Sequence, residues 1–413
     1  MTEYRKVRPE EWEDCIELIN YVFSISNGPH DFEKLLPKVY QAGPQMAAIH
    51  RAAVDDRGRL RAMIAVLPQT LVAGGRRLQA GYVGSVSVHP KARGEGHMKR
   101  LLSDWLEELT PQYDLLVLDG QRQRYGYFGF EPGSMRYVFE LDEANVRHAL
   151  KAQETQRITF EPLFREEQAD RAASPGGTRA EHREGTVGVD NRERAGFAAR
   201  LNESKLSYVV REPEHIQAVL ATFGQTALAV CVDGVAAGYL LCAGERRITE
   251  AVFPDNVSAG AVLGAYLLWK KQESLEICVP VYERKNVTEL AALAEEWRLE
   301  RCGLGLYRIL NYANVLEAYL RVQAAAGQLT PGVFSAVLEG QPVTARYDGQ
   351  NVLVSREAPE DALILGRREA QELLLSFTAE QGGRAGLSAE EWNAKVPRGW
   401  FPLPVFWSMA DEF

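Results

Sequence analysis

The chain has 413 residues, 25% of them charged, and a formal net charge of -9. That length exceeds one ordinary core and predicts two or three domains, while the acidic balance argues against nucleic-acid binding, which needs a basic face, and mildly favours a cationic partner. No apolar run approaches the roughly 20 residues that span a bilayer, and no charged-then-apolar leader opens the chain, so a cytoplasmic protein without membrane contact is expected.

In chain order, residues 1–150 read as a mixed α/β unit. Trp12, Cys15, Ile16, Ile19, Val22 and Phe23 recur at helical intervals. The runs "AAIHRAAVDD" and "LRAMIAVLPQTLVAGG" read as strands, with Gly74 and Gly75 as a hairpin turn. A further strand leads into "GSVSVHPKARGEGHMKRLL", residues 84 to 102; a helix follows, then the short strands "LLVL" and "RYVFEL". Residues 167–195 are polar, rich in Gly and charge, and read as a mobile loop or linker.

An α/β pattern then resumes to residue 304. It holds a hairpin around Asp233-Gly234, a helix from about 258 to 273, the strand "LEICVPVYE" and another helix. Offsets from a proline relate this unit to the first. Pro90 is followed at plus six by Gly96 and at plus fifteen by Trp105; Pro254 is followed by Gly260 and Trp269 at the same offsets, but Arg93 becomes Val257 at plus three. The second unit reads as a duplicate that has lost its cation. From 305 an α+β region begins with the strand "LYRIL", Asn314 as a helix N-cap with Glu317 as its capping-box partner, strands separated by "EGQ" and "YDGQN", and the helix "RREAQELLLSF".

Cysteines 15, 231, 242, 278 and 302 are odd in number and lack C-x-x-C spacing, so reduced core thiols are expected. The seven histidines include no His-x-x-x-His pair, and no metal site is expected.

The junction at residues 90–100 carries the chemical signal. A helix N-terminus offers unpaired N–H groups and a positive dipole end, and glycines let a backbone approach a phosphate closely. In "ARGEGHMKRLL" the helix turns Met98, Leu101, Leu102, Trp105, Leu106 and Leu109 to a core, leaving Arg93, Lys99 and Arg100 around its start. A polyphosphate suits such a place. The Walker loop and the G-x-G-x-x-G dinucleotide fingerprint are both missing. Taken alone, Gly94 and Gly96 equally suit a plain strand-to-helix turn with solvated cations.

The segment resembles motif A of the GNAT acyltransferases, V-x-V-x-P-x-x-[QR]-x-x-G-x-[GA], through Val86, Val88, Pro90, Arg93 and Gly96, with Met98 standing where Gly or Ala is usual. A narrower resemblance, to the enhanced intracellular survival (Eis) acetyltransferases of mycobacteria, accommodates the bulky Met98 and is carried further by "YGYFGF", Tyr125 to Phe130, and by the terminal Phe413. It covers the whole chain. The resemblance implies tandem GNAT folds, α/β in class and the second degenerate, over 1–150 and 151–304. A sterol-carrier-like α+β domain over 305–413 would follow, as scaffold rather than lipid carrier. It also implies a homo-oligomer, with hexamers in related proteins.

The same resemblance implies acetyl-CoA held by Val86, Ser87, Val88, Arg93, Gly94, Gly96, His97 and Met98. Tyr125 would be the general acid and the Phe413 carboxylate the general base, with an aminoglycoside-like, polyamine-like or lysine amine as acceptor. The residues add their own arguments. An oxyanion donor belongs on the backbone of the strand at 84–88, and Val88 is the candidate. Trp400, Phe401, Phe406 and Trp407 make the tail unlike a free end. An α-carboxyl near pKa 3.5, about its ordinary value, is a feeble base until desolvated. Asp411 and Glu412 are expected at the substrate entrance, although a merely polar chain end fits them equally. A non-catalytic acyl-CoA or lipid-binding sensor is the alternative from a different class.

Overall fold

The computed structural model describes residues 2–165, 190–301, 305–376 and 388–413. Alternating apolar runs and glycine turns build the first sheet from β1 (Glu3–Lys6), β2 (His50–Val54), β3 (Leu60–Ala73), β4 (Arg76–Val88), β5 (Leu115–Asp119) and the edge strand β6 (Glu131–Pro132). Gly74 and Gly75, at φ 54 and 75, supply the two left-handed positions of the turn joining β3 to β4. The second sheet uses β7 (Met135–Asp142), β8 (Ile158–Pro162), β10 (Thr226–Val232), β11 (Val235–Cys242), β12 (Arg247–Val252), β13 (Ser274–Pro280) and β14 (Glu296–Arg301). Between β8 and β10 in the chain, β9 (Ser207–Val209) returns to pair with β3. The expected hairpin at Asp233-Gly234 joins β10 to β11, again with both residues at positive φ.

Read from one edge, the two large sheets have the same plan. The first runs β1-β2-β3-β4-β5, then β15 (Gly305–Ile309), then β6; the second runs β8-β10-β11-β12-β13-β7-β14. Each has one parallel pair, β4 with β5 and β12 with β13, among antiparallel neighbours. In each, the sixth strand comes from outside the segment that the sequence pattern assigns to that unit. "RYVFEL" lies within β7 and pairs with β13 and β14 in the second sheet, whereas "LYRIL", expected to open the C-terminal unit, pairs with β5 and β6 in the first. Local pattern fixed both strands correctly but carries no information on their partners.

The helices cover these sheets: α1 (Trp12–Asn27), α2 (His97–Leu109), α3 (Asn191–Glu203), α4 (Ala259–Lys270), α5 (Arg284–Ala291), α6 (Tyr312–Ala325) and α7 (Arg367–Leu375), with shorter turns between. Leu101, Leu102, Trp105 and Leu109 recur at helical spacing on α2 and are buried against the first sheet, where Trp105 Nε1 donates to the Ile64 carbonyl at 3.0 Å. The first sheet and the C-terminal region share one continuous core, in which Val117, Tyr307, Leu316, Phe334 and Trp400 meet. The second sheet has its own.

The remaining strands, β16 (Gly332–Leu338), β17 (Gln341–Tyr347), β18 (Val352–Ser355) and β19 (Leu363–Leu365), form a small sheet in the order β18-β17-β16-β19. The cap of α6 is Asn311, not the expected Asn314. The Asn311 side chain accepts from the Asn314 N–H, while Glu317 pairs with Arg76 and Arg321 instead of turning back to the helix start. Of the loop expected at 167–195, residues 167–189 lie outside the described residues, and α3 begins at Asn191 with Asp190 as its cap. Cys15, Cys231, Cys242 and Cys278 are buried free thiols, and Cys302 lies outside the described residues. Among the described residues, no helix is long and apolar enough to cross a membrane.

Candidate active site

A cleft of about 1080 Å³ opens in the first unit where β4 and β5 part company. The two strands pair only over Ala80–Tyr82 and Leu115–Val117, so beyond Tyr82 the edge of β4 is left without a strand neighbour on that side. A bulge sharpens the divergence: Ala65 pairs with Gly84 and Met63 with Ser87, which leaves Ser85 and Val86 opposite Ile64 alone, with Ser85 at φ 51. Beyond the bulge the His89 N–H bonds the Arg61 carbonyl. By antiparallel alternation the Val88 N–H therefore points away from β3 and into the gap.

At the mouth of the gap α2 begins without a side-chain cap. Gly94 and Gly96 hold φ 86 and 81, and a side-chain carbon at either position would touch nothing, so the left-handed backbone, not crowding, is what calls for glycine. Gly96 is the N-cap and has no side chain to accept the first-turn N–H groups. Arg93 and Lys99 line the same mouth, and the Lys99 ammonium lies 4.7 Å from the centre of the Tyr127 ring. This is a cradle for an anion with cations at its rim.

The opposite wall is the end of the chain. A carbon placed on Gly84 would lie 2.6 Å from the Phe413 carbonyl oxygen and 2.9 Å from its carboxyl carbon, so only glycine at this position admits the terminus. The Phe413 ring is 9% exposed and stacks on Tyr40. Lys38 Nζ donates to the carbonyls of Ala410 and Glu412, and Gln69 Nε2 to that of Asp411. Burial lowers the Lys38 ammonium to about 7. Farther back, the Arg211 guanidinium donates to both oxygens of Asp411, at 2.9 and 2.8 Å, and to both of Glu250, at 2.7 and 2.8 Å. Removing one partner from so buried a set typically costs about 3–5 kcal/mol, because a charge is left stranded.

Tyr125 ends the short helix Arg122–Tyr125, is buried and lines the cleft. Burial raises its phenol above the ordinary value, and the neighbouring Arg124 guanidinium works the other way. Within "YGYFGF" Gly129 has a positive φ, whereas Gly126 is helical. The glycine that seats the ring is Gly120, where a side-chain carbon would lie 2.4 Å from Tyr125 Cε2. Burial also raises Glu412, to about 8, helped by the carboxylate of Asp119, whose own value is raised by burial while a hydrogen bond with Tyr82 opposes the rise.

The cleft therefore brings together Val86, Val88, Arg93, Gly94, Gly96, His97, Met98, Tyr125, Glu412 and Phe413 from the sequence reading. The His97 ring is engaged by Tyr4 at 2.8 Å and by Glu95 at 3.0 Å, so it shapes the α2 start more than it reaches into the cleft. Two residues fall elsewhere. Ser87 is fully buried between the cleft-facing Val86 and Val88, its side chain outside the lining, as strand alternation requires. Asp411 does not line the entrance: its pairing with Arg211 turns it into the junction with the second sheet. The sequence reading missed Gly84, Ser85, Asp119, Gly120, Arg124 and Lys38. Gly84, inside a strand pattern, was the one legible signal of a close backbone approach.

The second unit treats the equivalent helix start differently. Ser258 caps α4, and the Glu289 carboxylate, from α5, accepts the N–H groups of Ala259 at 3.1 Å and Gly260 at 3.0 Å. The chain's own anion occupies the place where a phosphate would lie. Behind it, between β12 and β13, remains a cavity of only about 30 Å³. That is room for about one water. Among the described residues no group of three or more His, Cys, Asp or Glu side chains is arranged to hold a metal ion.

Residues 3–133 match the family model described as Acetyltransferase (GNAT) domain. No curated protein matches the chain in sequence. Among solved structures, the chain is similar to a probable N-acyltransferase of Enterococcus faecalis V583, at 17% identity and TM-score 0.65 over 94% of this chain and 95% of that one. A GCN5-related N-acetyltransferase from Anabaena variabilis aligns over 100% of both chains at 16% identity and TM-score 0.64. Eis1 from Mycobacterium abscessus aligns over 100% of this chain and 98% of its own, at 14% identity and TM-score 0.61. At such identities these likenesses concern the fold.

Proposed function

We propose, from the match of residues 3–133 to the GNAT acetyltransferase domain, that the protein is an acetyl-CoA-dependent N-acetyltransferase of the Eis type acting on cationic amines. The observation that carries this reading is the placement of the chain's own terminal carboxylate over Gly84, in the same cleft as Tyr125 and the open start of α2. The residues present fit acetyl-CoA. The uncapped first turn of α2 with Gly94, Gly96, Arg93 and Lys99 would hold its pyrophosphate, and the gap beside β4 would take the pantetheine arm. Bound there, acetyl-CoA supplies an activated acetyl group.

The chain supplies the rest. The Phe413 carboxylate accepts the proton that the amine gives up on attack, Tyr125 gives its proton to the departing thiolate, and the Val88 N–H donates to the thioester oxygen as negative charge develops there. The terminus is held against Gly84 and Tyr40, away from bulk water. Glu412 and Asp119 offer carboxyl oxygens as hydrogen-bond acceptors in the lining, and Phe23, Phe32 and Phe223 give the cleft apolar walls, a combination suited to an amine on a partly apolar body. Aminoglycoside-like, polyamine-like and lysine amines all meet that description. We read residues 1–150 as the catalytic unit, 151–304 as a degenerate copy and 305–413 as a sterol-carrier-like scaffold that delivers the tail.

The test is steady release of coenzyme A thiol from acetyl-CoA with a panel of aminoglycosides, polyamines and a lysine peptide. Release that depends on one amine class establishes the reading and names the acceptor; acetyl-CoA binding with no amine-dependent release across the panel contradicts it.

A further inference from the structure

Behind the cleft runs a chain of buried polar groups to which acetyl transfer as described assigns no task. His50 is fully buried, with Nδ1 at 3.0 Å from the Met46 carbonyl oxygen and Nε2 at 3.1 Å from the Tyr40 hydroxyl. Tyr40, 1% exposed, lies 2.6 Å from Ser85 Oγ. Ser85 stands in the bulge of β4, lines the cleft and directly follows Gly84, over which the terminal carboxylate sits.

The direction of this chain follows from its far end. A carbonyl only accepts, so His50 Nδ1 carries a proton, and burial holds the imidazole down at about 4, which keeps the ring neutral and makes Nε2 an acceptor. Tyr40 has a single proton and gives it to Nε2; burial pushes its phenol well above the ordinary value, so that proton stays. The Ser85 hydroxyl must then donate to the Tyr40 oxygen. That leaves only lone pairs on the hydroxyl of a residue that lines the cleft, so Ser85 can act there as an acceptor only. The Phe413 carboxylate beside it also only accepts.

We propose that Ser85 is a substrate-binding residue that accepts a hydrogen bond from the acceptor amine and thereby selects primary over secondary amines. The proposal rests on the acetyl-transfer reading above. A neutral primary amine has two N–H groups and one lone pair. One N–H meets Ser85 Oγ, the other meets the Phe413 carboxylate that will take its proton, and the lone pair is left for attack. A secondary amine has one N–H and leaves one buried acceptor unmatched, which costs about 1–3 kcal/mol. The left-handed φ of 51 at a non-glycine residue agrees with a side chain held in place for a purpose.

The probes are cadaverine and its N,N′-dimethyl derivative, with steady-state acetylation by the full chain as the readout. The wild type is expected to prefer cadaverine by roughly 10- to 100-fold in kcat/KM. Ser85→Ala and Ser85→Gly both remove the hydroxyl, but glycine relieves the backbone where alanine does not. Both should narrow the preference to within a few-fold by raising the KM of cadaverine, with the KM of acetyl-CoA unchanged as the sign of an intact cleft. A wild-type preference that persists in both variants, while Tyr125→Phe still abolishes turnover, overturns the role of Ser85 and leaves the acetyl-transfer reading standing. If the wild type releases no coenzyme A thiol with either amine or with any aminoglycoside or lysine peptide, that reading fails and the proposal fails with it.

Discussion

The starts of α2 and α4 face the same problem with opposite solutions. Both helices begin beside a parallel pair of strands, β4 with β5 and β12 with β13, and both present unpaired N–H groups there. In the first unit two left-handed glycines leave those groups open, and Arg93 and Lys99 line the approach. In the second, Ser258 and Glu289 satisfy them internally. A helix start that stands open in one unit can thus be closed in the other by one carboxylate, with no change in strand order.

The comparison breaks most sharply if Tyr125 proves dispensable. Tyr125→Phe is expected to lower turnover by about 10²- to 10⁴-fold with acetyl-CoA affinity nearly unchanged; single-turnover kinetics and equilibrium binding separate the two. Gly96→Val forces a β-branched residue to φ 81, at about 1–2 kcal/mol or more, so acetyl-CoA affinity should fall roughly tenfold while the fold is kept. Calorimetric titration measures that fall. Glu289→Ala strips the plug from α4 and should lower stability by about 1 kcal/mol, the usual worth of a cap. The same titration should still count one acetyl-CoA per chain, because the gap behind α4 is filled; a second equivalent would mean that the plug alone closes the site.

The smallest effect is a pH dependence. Burial pushes Glu283, at the rim of the closed second cavity, up to about 7, so between about 4.5 and 7 the folded chain binds more protons than the unfolded one. Stability contributed by this group is therefore lost as pH rises through that window. Glu283→Gln, which retains an acceptor for the Asn286 amide at 2.8 Å, should raise the melting temperature at pH 8 and leave it nearly unchanged at pH 4.5.

The sequence was most legible where structure is local. The turns at Gly74-Gly75 and Asp233-Gly234, the apolar stripe of α2 and the glycines before it all stand where spacing placed them. Pairing partners were not legible, because β7 and β15 read as strands whichever sheet receives them. The offset match between Trp105 and Trp269 also misleads in detail. The former is buried and bonded to Ile64, whereas the latter is 48% exposed, since α2 begins at His97 after Pro90 but α4 begins at Ala259 after Pro254, two residues earlier in register. In and behind the site, Ser85, Lys38 and Asp411 could not be placed from spacing. Their roles depend on contacts with Tyr40, with the tail backbone and with Arg211, across 45, 372 and 200 positions of chain.

The central claim is that the end of the chain is a working part of the first unit's cleft. The most direct measurement is the turnover of the full chain carrying one extra residue after Phe413, compared at equal acetyl-CoA occupancy with the native protein. The account predicts a loss of roughly 10²-fold or more, because the carboxylate over Gly84 becomes a peptide carbonyl that cannot take a proton. An extended protein that acetylates amines at the native rate would contradict it.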